Sequence, residues 1–391
     1  MQISNIIHTI YLIGVLFISI AYIAFMWRYI RGWSALPFFQ KNKNSDNTTT
    51  ISVLIPARNE EENIAATLQA VLAQNYPSQL YEIIVIDDFS TDKTPQIINE
   101  FYEKYPNVKL IQLAEYTDAE KTQSFKKKAI DIGVQNSGNQ LIVQTDADCI
   151  MGKDWLKIIA DYYEQHHPKF IAAPVIFYDE KNTFQCFQSL DFVGMMGVNG
   201  AGIFHKFHYL CNGANLAYER EVFLEVNGFQ GIDQQASGDD LMLLQKIAKH
   251  HPSDIAFLKN TAAATHTTPK RTLREFMRQR IRWATKTTNY PDKGVTFTWA
   301  LIWLFCVSIP MNLLVGIFVP TLLYFGLVQL VAKIILDYIF LASVATSFDR
   351  KDLVRMSVYI PSIFLELTYV IVIGLLGLFV KKYEWKGRRV Q

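Results

Sequence analysis

The chain has 391 residues, half of them hydrophobic, and a formal net charge of +2. That balance argues against a nucleic acid or other polyanion as partner, while a mean hydropathy of +0.10 is high for a wholly soluble protein. The four cysteines, Cys149, Cys186, Cys211 and Cys306, lie far apart with no CxxC pair, which argues against a zinc site or a disulfide framework and for reduced thiols in the cytoplasm.

In chain order, residues 6–27 (IIHTIYLIGVLFISIAYIAFMW) hold no Lys, Arg, Asp or Glu. They predict an N-terminal transmembrane helix, since about 22 residues at ~1.5 Å each cross a bilayer. A signal peptide would have a basic start and a shorter apolar core. Here Arg28, Arg31, Lys41 and Lys43 follow the run, so the positive-inside rule places the N-terminus outside and the next domain in the cytoplasm. Residues 28–50 are a linker ending in the polar NSDNTTT.

Residues 51–290 predict a catalytic α/β domain. ISVLIP is a buried strand stopped by proline, and NEEENIAATLQAVLAQNYP a helix with acids in its first turn and Pro77 past its end. YEIIVIDDFS, VKLIQL and QLIVQTDAD are further strands, separated by the helical segments TDKTPQIINEFYEKY and KKKAIDIGVQNSG. Such alternation predicts a mainly parallel sheet with helices on both faces, whose ligands bind beyond the carboxyl ends of the strands. Residues 150–290 mix helices and short strands less regularly.

Residues 291–380 predict a membrane region of two to four hydrophobic segments. Phe297–Phe348 is long enough for two crossings, and the charged DRKDLVR separates it from a further apolar block, Tyr359–Val380. Residues 381–391 are a strongly basic tail, expected in the cytoplasm. These expectations conflict: three crossings after a cytoplasmic domain leave the tail outside. Either the last block is re-entrant or an earlier one does not fully span. Lys333 and Asp337, four apart in an apolar stretch, form an intramembrane ion couple or snorkel to an interface.

QLIVQTDAD ends in Asp146 and Asp148. Two apart on an extended segment, their carboxylates face the same way, into the ligand crevice. Acids so placed lower their mutual repulsion by sharing a divalent cation. Hard oxygen ligands suit Mg²⁺ or Mn²⁺, with a substrate phosphate supplying further ligands. Asp87, Asp88 and Asp92 end the neighbouring strand at the same edge, whereas His205 and His208 form no convincing ligand set.

Downstream come CNGANLAYERE, ASGDDLMLLQKI and RQRIRWATK. With PARNEEE, DDFSTD and DAD before them, these segments make the chain resemble the family 2 glycosyltransferases over about residues 50–290 plus the flanking membrane segments. The resemblance implies a GT-A (nucleotide-diphospho-sugar transferase) domain with a mainly parallel sheet, flanked by transmembrane helices. It implies a multi-pass enzyme of the cell (inner) membrane, with its catalytic domain in the cytoplasm. Such an enzyme would move a sugar, with inversion and metal assistance, from a nucleotide-sugar donor to a lipid or lipid-linked glycan acceptor. The competing reading is a processive polysaccharide synthase that extends and exports a polymer. About four hydrophobic blocks are few for a translocation channel, and a non-enzymatic scaffold would lack a catalytic acid.

Residue by residue, the resemblance assigns Pro56, Arg58, Glu60 and Asp88 to the donor nucleotide, with Asp146. Lys127, or Lys126 beside it, would meet the diphosphate, although Phe125 stands where many relatives have glycine. Asp146 and Asp148 would hold the metal, with His266 as a further metal or phosphate contact. In GDD, Asp240 would be the general base that takes the acceptor proton, and Asp239 would support it. Gln279, Arg280, Arg282 and Trp283 match Q-x-x-R-W and would serve the diphosphate or acceptor, together with Gly213 and Asn215. The same arginines would also suit an amphipathic helix on a membrane surface.

Overall fold

A computed structural model describes every residue except 1, 41–46, 120–123, 235–237, 286–292, 380–382, 386–387 and 391. Lys41 and Lys43 of the linker, Ala236 and Ser237 before GDD, and part of the basic tail lie outside the described residues.

In chain order, a long helix α1 (Gln2–Ala35) leads into β1 (Ile51–Ala57), α2 (Ile64–Leu72), β2 (Tyr81–Asp87), α3 (Thr94–Lys104), β3 (Val108–Gln112), α4 (Phe125–Gln135) and β4 (Leu141–Gln144). The less regular part comprises β5 (Ile150–Met151), α5 (Trp155–His166), β6 (Phe170–Ala172), β7 (Val175–Phe177), α6 (Thr183–Phe204), β8 (Leu216–Glu219), α7 (Arg220–Glu225), α8 (Asp239–His250), β9 (Ile255–Phe257), β10 (Thr265–Thr267) and α9 (Leu273–Ala284). Three apolar helices follow, α10 (Lys293–Val315), α11 (Pro320–Ser347) and α12 (Met356–Phe379), then a two-stranded ribbon of β11 (Tyr383–Trp385) and β12 (Arg388–Val390).

These elements divide into two compact units. One comprises Leu36–Asp179, Gly202–Pro269 and Lys382–Gln391; the other comprises Met1–Ala35, Glu180–Ala201 and Lys270–Lys381. Thus α9 and most of α6, expected within a continuous 51–290 domain, group with the apolar helices.

The first unit holds a seven-stranded sheet in the order β3-β2-β1-β4-β8-β6-β9. β1 pairs in parallel with β2 and β4, and β2 with β3, while β8 runs antiparallel to both β4 and β6. The parallel half explains the unbroken apolar runs, because both faces are covered. Ile51, Val53 and Ile55 join a core with Ile64 and Leu68 of α2 and Trp155 and Ile159 of α5. Leu54 and Ile86 point the other way, onto Gly133 of α4. The acids expected in the first turn of α2 precede it instead. Glu61 bonds across to the loop after β2, accepting from Lys93 N (3.0 Å) and donating its own N–H to Asp92 (3.1 Å).

The second unit contains four helices which, among the described residues, are long and apolar enough to cross a membrane: Ile6–Ala35, Gly294–Val315, Pro320–Ser347 and Met356–Gly377. α1 continues past the expected end at Trp27, through Arg28 and Arg31, and stops before Pro37, which disfavours helix at its preceding residue. The block Phe297–Phe348 folds as the two helices α10 and α11. Lys333 and Asp337 form a buried ion pair (2.6 Å) joined by Glu366 of α12 (3.2 Å), so of the two arrangements considered for them the internal couple occurs. α6 packs closely on α11: a Cβ at Gly197 would lie 2.4 Å from Val344.

A Cβ at Gly133 would sit 3.0 Å from Ile86 and 3.3 Å from Leu54. Gly133→Val should therefore overpack the α4 face of the sheet and cost about 1–3 kcal/mol. Thermal or denaturant unfolding of the purified chain would check this; an unchanged midpoint would contradict the packing.

Candidate active site

The carboxyl ends of β1 and β2 are tied together by polar contacts. Asp88 N donates to Ala57 O (2.8 Å), and the Arg58 guanidinium donates to the carbonyls of Asp88 (2.7 Å) and Phe89 (2.8 Å). Glu60 N donates to Thr94 Oγ1 (2.7 Å), and Asn59 and Phe89 take left-handed φ values of 48° and 51° at the two loop tips. Pro56 is half-buried just before this knot, and Asp88 is buried within it. Arg58 thus shapes the loop through its side chain. Burial pushes the Asp87 carboxyl above its ordinary range, and the hydrogen bonds from Ser90 offset only part of that shift.

Further along the sheet edge, acids from two elements meet. Gln144 closes β4, and the chain then turns: Cys149 N donates to Asp146 O (3.2 Å). D-A-D therefore lies on a turn, so the extended-strand reason for its carboxylates facing one way does not hold. Asp146 and Asp148 are both half-buried there. α8 brings Asp239 and Asp240 in its first turn, behind Gly238, whose φ of 82° suits glycine. Lys126 bridges the two elements, with its ammonium 2.7 Å from Asp146 Oδ1 and 3.4 Å from Asp239 Oδ2. Burial alone would lower the Lys126 pKa, but the Asp146 and Asp239 charges outweigh it and hold the ammonium well above the ordinary lysine range.

Asp240 is held differently. Its Oδ2 accepts from Gly213 N (2.9 Å) and its Oδ1 from Leu241 N (2.7 Å). A Cβ at Gly213 would be in van der Waals contact, at 3.4 Å, with Asp239 Oδ2, Asp240 Cβ and Gln144 Nε2. Gln144 donates to Gly213 O (3.2 Å), and Thr145 and Thr265 donate to Ala214 O (3.0 and 3.2 Å). Gln144 and Thr145 were not among the expected site residues. Their signal was a pair of polar side chains closing an otherwise apolar strand.

Several expectations need correction. Lys127 is buried and donates to Ile232 O (2.5 Å), so Lys126 is the lysine set among the acids; burial lowers the Lys127 pKa, partly offset by Asp239 and Asp240. Asn215, expected beside the donor sugar or acceptor, uses its side chain as scaffold: it donates to Pro174 O (2.6 Å) and Ala263 O (2.8 Å) and accepts from Trp155 Nε1 (3.0 Å). His266 lies on β10, paired with Ile150 just past D-A-D, and its ring packs edge-on against Tyr178 (6.2 Å). Among the described residues no three His, Cys, Asp or Glu side chains are grouped so that they could hold a metal ion.

The Q-R-I-R-W segment lies on α9, in the other unit. Thr272 and Glu275 form a reciprocal capping box at its start. Arg280, expected at the diphosphate or acceptor, is instead buried: it pairs with Asp191 of α6 (2.5 Å), and its guanidinium lies over the rings of Trp283 (4.5 Å) and Phe276 (4.9 Å). Trp283 also stacks near Phe192 (6.2 Å). Gln279 and Arg282 are half-buried.

The family model described as glycosyl transferase family 2 matches residues 52–226, and the one described as glycosyl transferase family group 2 matches residues 141–378, more than half of the chain. The chain belongs to the family 2 glycosyltransferases. This glycosyltransferase is 33% identical over 146 residues to a probable glycosyltransferase of Bacillus subtilis, covering 36% of this chain and 34% of that protein. It is 27% identical over 125 residues to a beta-monoglucosyldiacylglycerol synthase of Synechocystis sp., covering 32% of this chain and 25% of that one. The matches thus span about a quarter to a third of these relatives' length. A mannosyltransferase from Pyrobaculum calidifontis, solved with GDP-Man and Mn²⁺, aligns over 94% of this chain and 96% of its own, with a TM-score of 0.54 at 18% identity. At that identity the likeness shows the fold alone, an α/β GT-A fold with a mainly parallel sheet.

Lys126→Met in this glycosyltransferase should leave Asp146 and Asp239 without their shared cation and remove a charge-assisted donor. Nucleoside diphosphate affinity should fall about tenfold, or ~1.4 kcal/mol, the scale of one such hydrogen bond. Calorimetric titration alongside Lys127→Met, which should change affinity little, checks the assignment; the reverse pattern would restore Lys127.

Proposed function

We propose that the enzyme transfers a sugar, with inversion, from a nucleotide-diphosphate sugar to a lipid or lipid-linked acceptor, with Asp240 as general base. The observation that carries this reading is the division of labour inside GDD. Asp239 is buried and shares the Lys126 ammonium, whereas Asp240 is half-buried and fixed by two backbone N–H groups. A carboxylate has about four lone-pair sites, so two such bonds aim Asp240 and leave it able to accept an acceptor hydroxyl proton as that oxygen attacks the sugar. Asp239 keeps the neighbouring charge balanced. Lys126 is placed to exchange Asp146 for a diphosphate oxygen. The knot around Arg58 holds Asp88 and the Pro56–Glu60 loop in place for the base and ribose.

Asp146 and Asp148 suit a hard divalent ion: they offer two carboxylates on a turn, and one already draws a cation in Lys126. Bound there, Mg²⁺ or Mn²⁺ would offset charge building on the departing diphosphate. The relatives include enzymes named for a glycosyldiacylglycerol and for a dolichyl phosphate-linked substrate. With the four long apolar helices, they support a membrane-bound enzyme of the cell membrane, its catalytic unit cytoplasmic and its acceptor a lipid.

Asp240→Asn should keep donor binding and lose turnover by a factor of ~10² to 10⁴, the usual worth of general-base catalysis. Asp239→Asn should cost less. Turnover and donor affinity measured for both decide: a near-parental rate in Asp240→Asn with a dead Asp239→Asn would exchange their roles. Separately, chelator should abolish transfer by membranes, and added Mn²⁺ or Mg²⁺ should restore it; full activity in excess chelator would refute the metal assignment.

A further inference from the structure

Helices α1, α10 and α11 set a depth scale. α1 and α11 run side by side in the same direction. Gln329 donates to Ser19 (2.9 Å), the Tyr22 hydroxyl donates to Asp337, and Trp33 donates to Ser347 (3.2 Å). α10 runs the opposite way: Asn312 and Ser308 meet Gln329 (2.8 and 2.9 Å), and Phe305 stacks on Tyr22 (3.8 Å). In this register Trp303 is level with residues 334–338 of α11.

One edge of the apolar zone falls close to that level. The charge-free run of α1, residues 6–27, is about 33 Å long at ~1.5 Å per residue, near the ~30 Å of a hydrocarbon core. It ends at exposed Trp27 and Arg28, little more than a turn beyond the Tyr22–Asp337 contact. Trp299, also exposed, lies one turn before Trp303. Tryptophans and an arginine at a common depth mark a membrane–water interface.

α12 keeps to this depth along its length. The Tyr359 hydroxyl donates to Ile334 O (2.5 Å), and its ring packs on Tyr338 (5.1 Å). Glu366 pairs with Lys333 (3.2 Å), the Trp303 indole donates to Ile371 O (3.2 Å), and Gly374 lies against the same indole. From Tyr359 to Gly374 is about fifteen residues, or ~22 Å of helix. A helix crossing beside α11 would pass a similar number of its positions, yet these contacts stay within 333–338 and the level of Trp303. α12 therefore runs steeply across α10 and α11. Met356, Ile360, Phe364, Leu365, Val372, Leu375 and Phe379 are its exposed large apolar positions, at helical spacings that keep them to one side of the helix. Tyr359, Glu366 and Tyr369 face protein partners.

We propose that α12 lies along the membrane surface, with its apolar stripe in the acyl chains, and does not cross. The proposal rests on the membrane reading given above, and its partner is the interfacial layer of the bilayer. The chain then crosses three times, through α1, α10 and α11, and both ends of α12 emerge on the side where the chain leaves α1. This reconciles an apolar last block with a basic tail. α9 shares the surface position, since Phe276 and Arg280 pack on Tyr369 and Ala284 lies against Gly377. Its exposed Arg271, Arg274 and Arg278 are then at the depth of lipid phosphates.

Single cysteines at Lys351→Cys and Glu384→Cys, in a chain whose four native cysteines are serine, bracket α12. An impermeant maleimide should label both in sealed inverted vesicles and neither in right-side-out vesicles. Labelling of the two from opposite sides would show that α12 crosses and overturn the proposal. If the cysteine-free chain does not fold, a C-terminal epitope on the parent chain replaces it: protease outside inverted vesicles should remove the epitope, whereas a protected, epitope-bearing α12 fragment would overturn the proposal. Release of the chain by alkaline carbonate would overturn the membrane reading itself, an outcome distinct from either labelling pattern.

Discussion

A single ammonium makes the acid cluster possible. Asp146 arrives at the end of β4 and Asp239 at the start of α8, and both lean on Lys126 from α4. Carboxylates brought this close in a partly desolvated crevice repel each other more strongly than in water. The cation between them lets the turn after β4 and the first turn of α8 share one edge of the sheet. The neighbouring details follow from that crowding. Position 213 lies in contact with both acids of GDD, and Gln144 and Thr145 hold the loop that turns the Gly213 N–H toward Asp240.

The unit of apolar helices meets the same constraint with different residues. Buried Arg280 pairs with half-buried Asp191, and Lys333 is shared by Asp337 and Glu366. Removing one member of such a group would strand a charge in a poor solvent, so pairing is obligatory wherever these residues are buried. That explains why Arg280 is held against Asp191 inside the apolar unit. Arg280 stands one position after Gln279, on the side of α9 that Phe276 also buries, while Arg282 stays half-exposed. Neighbours in a motif lie on different sides of a helix, and the side decides the role.

Much of the parallel half of the sheet was legible in the sequence. The first four strands carry unbroken apolar runs closed by proline or acids, and local periodicity and chain breakers suffice to read such strands. The acids after β2 and β4 and the GDD segment could be read for the same reason, being defined by position relative to those strands. Lys126 and Lys127 could not be told apart, because adjacent helix positions differ only in which one meets Asp146 and which one meets Ile232, over 100 residues away. Asn215 sat in a recognisable segment, yet its amide is consumed by Pro174, Ala263 and Trp155.

By itself, the sequence determined the α/β class, the parallel half of the sheet, the family and the existence of long apolar helices. All of these are written in composition and short-range pattern. Tertiary structure alone decided that Lys126 and not Lys127 joins the acids, that α9 and most of α6 belong with the apolar helices, and that α12 runs across α10 and α11. Each of these depends on contacts between residues far apart in the chain. Hydrophobicity says that a helix must leave water, but only its neighbours fix its direction.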